Sequence, residues 1–152
     1  MTRVARRLLM LIALLASLGV ALSSLSLAHH YGTSRSSFCD LSATVNCDLV
    51  NRSEYSTLLG VPVALIGVVG YLALLLLATI YRRRRETPRL LFWAAMAGLG
   101  FALYLTYIEG FVLATWCVLC LSSLATIFAI ALLSFALMAT SQQDSGSNLQ
   151  PD

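Results

Sequence analysis

Cys117-Val118-Leu119-Cys120 stands at the head of a long apolar stretch and sets two thiols at the mouth of a prospective membrane helix. Helical side chains three residues apart share a face, with Cβ atoms roughly 5 to 6 Å apart, near enough to open and close a disulfide. A helix that only crosses lipid gains nothing from such a pair, so the chemistry indicated is electron transfer. Cys39 and Cys47 are the other cysteines, both in a polar segment well upstream. In an oxidising compartment they could simply staple a loop. If they meet the CxxC pair, a thiolate of one pair can attack the disulfide of the other, and two dithiols become an exchange relay. Four cysteines could also build a tetrahedral zinc site, but zinc ligand pairs usually sit in turns, and one pair here opens a hydrophobic helix.

With a helix starting near Thr115, Cys117 lies where unpaired N–H groups and the helix dipole favour a thiolate and lower a reference pKa of about 8.5. Cys120, one turn deeper, faces the bilayer edge, within reach of a two-electron acceptor dissolved in lipid; quinones are the obvious candidates. Trp116, Phe111, Tyr107 and Tyr104 could wall such a pocket or form the aromatic belt that anchors membrane helices. Arg35, Arg52, His29 and His30 could stabilise loop thiolates or be solvated loop charges.

These thiols need a scaffold. At 59% apolar and 11% charged residues, with a mean hydropathy of +0.82, the chain exceeds the roughly 45 to 50% apolar share of soluble domains. Stretches 8–28, 61–81, 90–108 and 111–139 are nearly free of charge. Each approaches the ~20 residues that cross a ~30 Å hydrocarbon layer. Their apolar runs are continuous rather than alternating, so helices are expected and not a barrel. The expectation is an all-α membrane protein: a four-transmembrane-helix bundle over 1–140, an extracytoplasmic loop 29–60 between helices 1 and 2, and a disordered cytoplasmic tail 141–152.

Arg3, Arg6 and Arg7 precede the first stretch, and Arg82, Arg83, Arg84, Arg85 and Arg89 fill the link between the second and third. Both segments are therefore expected to be cytoplasmic, which puts all four cysteines on the outer side. The same placement explains the net charge of +3 as a topology signal rather than a nucleic-acid surface. The first stretch ends in Ser26-Leu27-Ala28 and resembles a secretory signal, but it exceeds the usual core of about 7 to 15 residues and reads as a retained helix.

Ala94, Gly98 and Ala102 repeat every four residues, a spacing that lets membrane helices approach closely, and Gly67 and Gly70 suggest the same on the second helix. Pro62 suits a first helical turn, and Gly60 can break the loop before it. Glu109-Gly110 forms the expected tight link between the third and fourth helices, with Glu109 either an interfacial carboxylate or a proton relay. Ser53-Glu54-Tyr55-Ser56 could start a short surface helix with Ser53 as its N-cap.

Cys39-Asp40-Leu41-Ser42-Ala43-Thr44-Val45-Asn46-Cys47, Ser53-Glu54-Tyr55, Gly60-Val61-Pro62-Val63 and Trp116-Cys117-Val118-Leu119-Cys120 follow in an order and spacing that resemble the bacterial branch of the vitamin K epoxide reductase family. The resemblance covers roughly residues 8–139. It implies a helix bundle around a quinone, ubiquinone or menaquinone, that reoxidises a thioredoxin-like periplasmic protein making disulfides in exported substrates. It further implies that Cys39 meets the partner's thiol, Cys47 passes the disulfide to Cys117, and Cys120 exchanges electrons with the quinone. Ser53 matches the family serine near the redox centre; from its position beside the CxxC pair, and not from the resemblance, Trp116 is the aromatic residue expected to contact the quinone. Leu124 stands where the animal enzymes have a tyrosine, which speaks against epoxide reduction. A short tail follows the last helix where some members carry a fused thioredoxin domain, so the partner is expected to be a separate protein. Two rivals remain: a non-catalytic membrane scaffold with structural disulfides, and a reductase running in the opposite sense.

Overall fold

A computed structural model describes residues 3–32, 40–42, 45–51, 53–58, 60–82, 84 and 86–146. The chain begins with helix α1 (Arg3–Tyr31). An outer segment follows, comprising β1 (Asp40–Ser42), β2 (Val45–Asn46), helix α2 (Cys47–Asn51), a single 3-10 turn at Glu54–Ser56, β3 (Thr57–Leu58) and β4 (Val61–Pro62). Helices α3 (Val63–Thr79), α4 (Thr87–Phe111) and α5 (Val118–Gly146) complete the bundle. Helix α1, helix α4 and the Val118–Gln142 part of α5 are each long and apolar enough to cross a membrane; α3 is a shorter apolar helix of 17 residues. At about 1.5 Å per residue, α3 falls roughly one turn short of a ~30 Å hydrocarbon layer.

Several boundaries differ from those expected, each for a local reason. The 61–81 stretch loses its start to the β3–β4 hairpin, in which Thr57 pairs with Pro62 and Leu58 with Val61. Gly60 turns that hairpin at φ +83°, a conformation natural only to glycine. Pro62 is thus the N-cap of α3 rather than part of its first turn. The 111–139 stretch is displaced as a whole. Helix α4 runs on to Phe111, so Glu109 and Gly110 belong to its last turn and are not a link. The return connection lies between Phe111 and Val118, where Ala114 adopts a φ of +48° that ends any helix. Helix α5 then continues to Gly146, so residues 141–146 are helical where a disordered tail was expected; 147–152 lie outside the described residues.

Helix α1 packs against α3 and α5, α5 against α4, and α3 against α4 more loosely. One apolar cluster joins Leu9, Ile12 and Ala16 of α1 to Tyr71, Leu74 and Ala78 of α3, Leu91 and Ala95 of α4, and Ile127, Ile130, Ala131 and Leu137 of α5. In sequence, its α1, α3 and α4 members lie toward the arginine-flanked ends of their helices. Gly19 permits the close approach of α1 and α3, because a Cβ there would lie 2.3 Å from the Tyr71 ring. Tyr71 is itself fixed, its hydroxyl donating to the Ser123 carbonyl of α5 at 2.8 Å. The expected small-residue seam is only partly a contact surface. Gly67 abuts Ser23 and Gly98 abuts Ile127, but a Cβ on Gly70 would meet nothing within 4 Å.

Candidate active site

The last turn of α4 and the connection after it form the cap of α5. Val112 and Leu113 both donate N–H groups to the Ile108 carbonyl, at 2.9 and 3.0 Å, and Ala114 then reverses the chain. Thr115 consequently donates back to the Glu109 carbonyl at 3.1 Å, and the Cys117 N–H donates to Glu109 Oε2 at 3.2 Å. Cys117 occupies the N-cap of α5. Its carbonyl accepts the Leu121 N–H at 3.0 Å, and its Sγ takes the Cys120 N–H at 3.4 Å, where a cap oxygen usually stands. Cys117 is fully buried and Cys120 partly so, and both are free thiols. Cys117 ionises more readily than an ordinary thiol, first because the Cys120 thiol hydrogen-bonds to it. With the backbone N–H groups of Cys120 and Leu119, that bond outweighs burial and the charge of Glu109.

The outer segment delivers a third sulfur to this cap. Strands β1 and β2 pair antiparallel, and Val45 of β2 forms a parallel bridge to Trp116. The Asn46 N–H donates to the Trp116 carbonyl at 3.2 Å, so the residues that follow each strand, Cys47 and Cys117, are brought side by side. Both are fully buried in one small cluster with Val50, against which Leu113, Leu119 and Cys120 pack. Cys47 is disulfide-bonded. Cys39 lies outside the described residues, as do Arg35 and Arg52.

Helix α1 secures the segment from the other side. Ser26 donates to Asn51 Oδ1 at 2.7 Å, and His30, in the last turn of α1, donates through Nδ1 to the Asn51 carbonyl. Asn51 is buried, and its Nδ2 has no partner among the described residues. Ser53 occupies the N-cap position of the 3-10 turn but makes no side-chain cap bond; its hydroxyl donates to the Val50 carbonyl at 2.8 Å.

Inside this frame helices α1, α3, α4 and α5 and the loop stand around a cavity of about 400 Å³. Its wall is mainly apolar, and its polar points include Ser26, Asn51, Ser53, Glu109, Cys120 and Ser123. Ala94, Gly98 and Ala102 of α4 and Gly67 and Gly70 of α3 line it too, so the small residues there make room rather than only contact. Ser53 and Cys120 line the cavity; Trp116 does not. Its ring covers Gly110, the residue is 41% exposed, and its tie to the loop is the main-chain bridge. Tyr104, Tyr107 and Phe111 are likewise exposed and absent from the wall, as a lipid-facing belt would be.

Asn51 and Ser26 are the site residues that motif reasoning passed over, and Glu109 is one that it left between an interfacial carboxylate and a proton relay. Each left a trace: Glu109 is a carboxylate set against an apolar run, Ser26 a polar residue late in another, and Asn51 follows Cys47 by one helical turn.

Residues 10–135 match the model of the vitamin K epoxide reductase family. The chain belongs to the vitamin K epoxide reductase family. Members of this family are oxidoreductases, in general quinone-linked and acting on thiols and disulfides, and several apolar helices fit a multi-pass membrane protein. The match spans the outer segment, the cap and every helix that walls the cavity.

Proposed function

We propose that the chain is a quinone-dependent thiol–disulfide oxidoreductase that reoxidises a separate thioredoxin-like extracytoplasmic protein, which in turn introduces disulfides into exported proteins. The carrying observation is the Asn46–Trp116 hydrogen bond, which seats Cys47 beside Cys117 while Cys120 faces the cavity. Arginine placement supports a plasma-membrane orientation with both termini cytoplasmic and the cysteines outside. The cavity suits a quinone head group, for its wall is apolar and Asn51 Nδ2 is a buried donor still lacking an acceptor among the described residues.

In this reading a partner thiolate attacks Cys39 of a Cys39–Cys47 disulfide, and Cys47 leaves as a thiolate. The partner's second thiol displaces Cys39, so the partner departs oxidised and the loop pair is reduced. Cys47 then attacks Cys117 of a Cys117–Cys120 disulfide, and Cys120 leaves as a thiolate at the cavity wall. Cys39 resolves the Cys47–Cys117 bond, which restores the loop disulfide and leaves Cys117 and Cys120 reduced. A bound quinone supplies the two-electron acceptor against which the inner pair closes again.

The test uses purified protein in lipid nanodiscs with its inner pair reduced. Adding ubiquinone or menaquinone without a partner is expected to remove two alkylatable thiols, read by mass. Cys117→Ser and Cys120→Ser should each abolish quinone-driven oxidation of a reduced thioredoxin-like protein while leaving the fold intact. Retained function in both variants would favour a scaffold, and reduction of the disulfides by added quinol would favour the opposite direction.

A further inference from the structure

Glu109 is 2% exposed in the last turn of α4 and makes no ion pair among the described residues. A carboxylate buried without a cation is costly and is tolerated where it has work to do. Its structural duty is the hydrogen bond accepted from the Cys117 N–H at 3.2 Å. A glutamine oxygen would serve that bond equally well, without burying a charge. The carboxylate lines the same cavity as the Cys120 sulfur, and both residues are held to Cys117, Glu109 by accepting the Cys117 N–H and Cys120 by donating its own N–H to Cys117 Sγ at 3.4 Å. Of the two groups beside Cys120 that can take its proton, Cys117 Sγ and Glu109, Glu109 is the one that lines the cavity.

We propose that Glu109 is the proton carrier of the inner dithiol: it takes the proton from Cys120 as that sulfur ionises and hands it into the cavity to an oxygen of the bound acceptor. This rests on the quinone-linked reading above. The balance is complete. Closing Cys117–Cys120 releases two electrons to the quinone and two protons. The Cys120 S–H bond breaks as a Glu109 O–H bond forms, and that proton ends on a quinol oxygen. Cys117 reacts as a thiolate whose proton has passed to bulk solvent, and bulk solvent returns one proton to the acceptor, so two protons leave the thiols and two are taken up. Among the described residues, the other titratable groups bordering this space are Cys117, which touches Glu109 through its N–H, and His30, Tyr55 and Tyr71 in the cavity wall; Cys47 is bonded and does not titrate.

The decisive readout needs no quinone. A thiol and a carboxyl that share one proton titrate as a pair, and the minor form with thiolate and carboxylic acid keeps a constant population between the two macroscopic pKa values. In quinone-free protein carrying Cys117→Ser, which removes the other thiol that titrates with Cys120, the rate of Cys120 alkylation by a neutral reagent should show a plateau between two inflections. Adding Glu109→Gln to that background should leave one inflection, with the rate falling about tenfold per pH unit below it. With quinone, Glu109→Gln should lose about a hundredfold or more in kcat, and Glu109→Asp should recover part of it. Formation of the Cys47–Cys117 mixed disulfide should be unchanged in both variants, which also certifies their fold. Identical single-inflection profiles with and without Glu109→Gln in the Cys117→Ser background would overturn the proposal. So would loss of the mixed disulfide together with turnover in Glu109→Gln, since Glu109 would then only position the cap. Failure of wild type itself to reduce quinone would instead count against the parent reading, with the alkylation profile still judging Glu109.

Discussion

Ile12, Ala78, Leu91 and Ile130 fill the space between the four long helices in one half of the bundle and are all but inaccessible. In the other half the same helices stand around a cavity of about 400 Å³ edged by hydroxyls, an amide, a carboxylate and a thiol. Hydropathy does not distinguish the halves, because both are walled by apolar residues. Close packing does. In lipid, helices gain little from leaving an apolar solvent and are held chiefly by van der Waals fit, so the filled half maintains the bundle while the open half is free to accommodate a ligand. The loop completes the division, since its main-chain bridge to Trp116 and its bonds to α1 all fall at the open end.

This contrast predicts substitutions that act on stability alone or on chemistry alone. Ile130→Ala, at a site with no exposed surface, should cost about 2 kcal/mol or more in thermal unfolding in micelles, with kcat of the folded fraction unchanged. Two glycines sharpen the division further. Gly19→Ala drives a methyl into the Tyr71 ring, which is tethered to Ser123 and cannot swing away, so about 1 to 3 kcal/mol should be lost. Gly70→Leu meets open space in the cavity wall and should leave unfolding nearly unmoved while raising the KM for quinone. At the cap, Cys117 ionises below the ordinary thiol range chiefly through Cys120, so its alkylation should persist as pH falls into that range. Cys120→Ala removes the bond that stabilises the thiolate and should move the alkylation midpoint upward. Ser134 is fully buried with no partner for its hydroxyl among the described residues, so Ser134→Ala should be neutral or stabilising by about 1 kcal/mol at most.

Long uncharged runs were enough to announce four helices, and cysteine spacing was enough to single out Cys47, Cys117 and Cys120, which the fold gathers in one cluster. The helix ends were harder. Val112, Leu113 and Ala114 are as apolar as the helices around them, and only the left-handed Ala114 and the bonds from Thr115 and Cys117 to Glu109 show that the chain turns there. Those bonds are also why Glu109 read ambiguously: its role depends on residues that return to it after the turn. Ala94, Gly98 and Ala102 carry a spacing that means close helix contact when a partner helix is present, but here α3 stands off and the same small side chains border the cavity. Asn51 had no motif to announce it, because its importance comes from Ser26 and His30 on a helix far upstream.

The account depends most on a direct sulfur exchange between the loop and the cap. Non-reducing peptide mapping of Cys120→Ser, a variant in which Cys117 has lost its inner partner, tests it most directly. A Cys47–Cys117 disulfide is expected to accumulate, with Cys39 left as a free thiol. Persistent absence of that cross-link under oxidising conditions, with Cys117 still reduced, would contradict the relay.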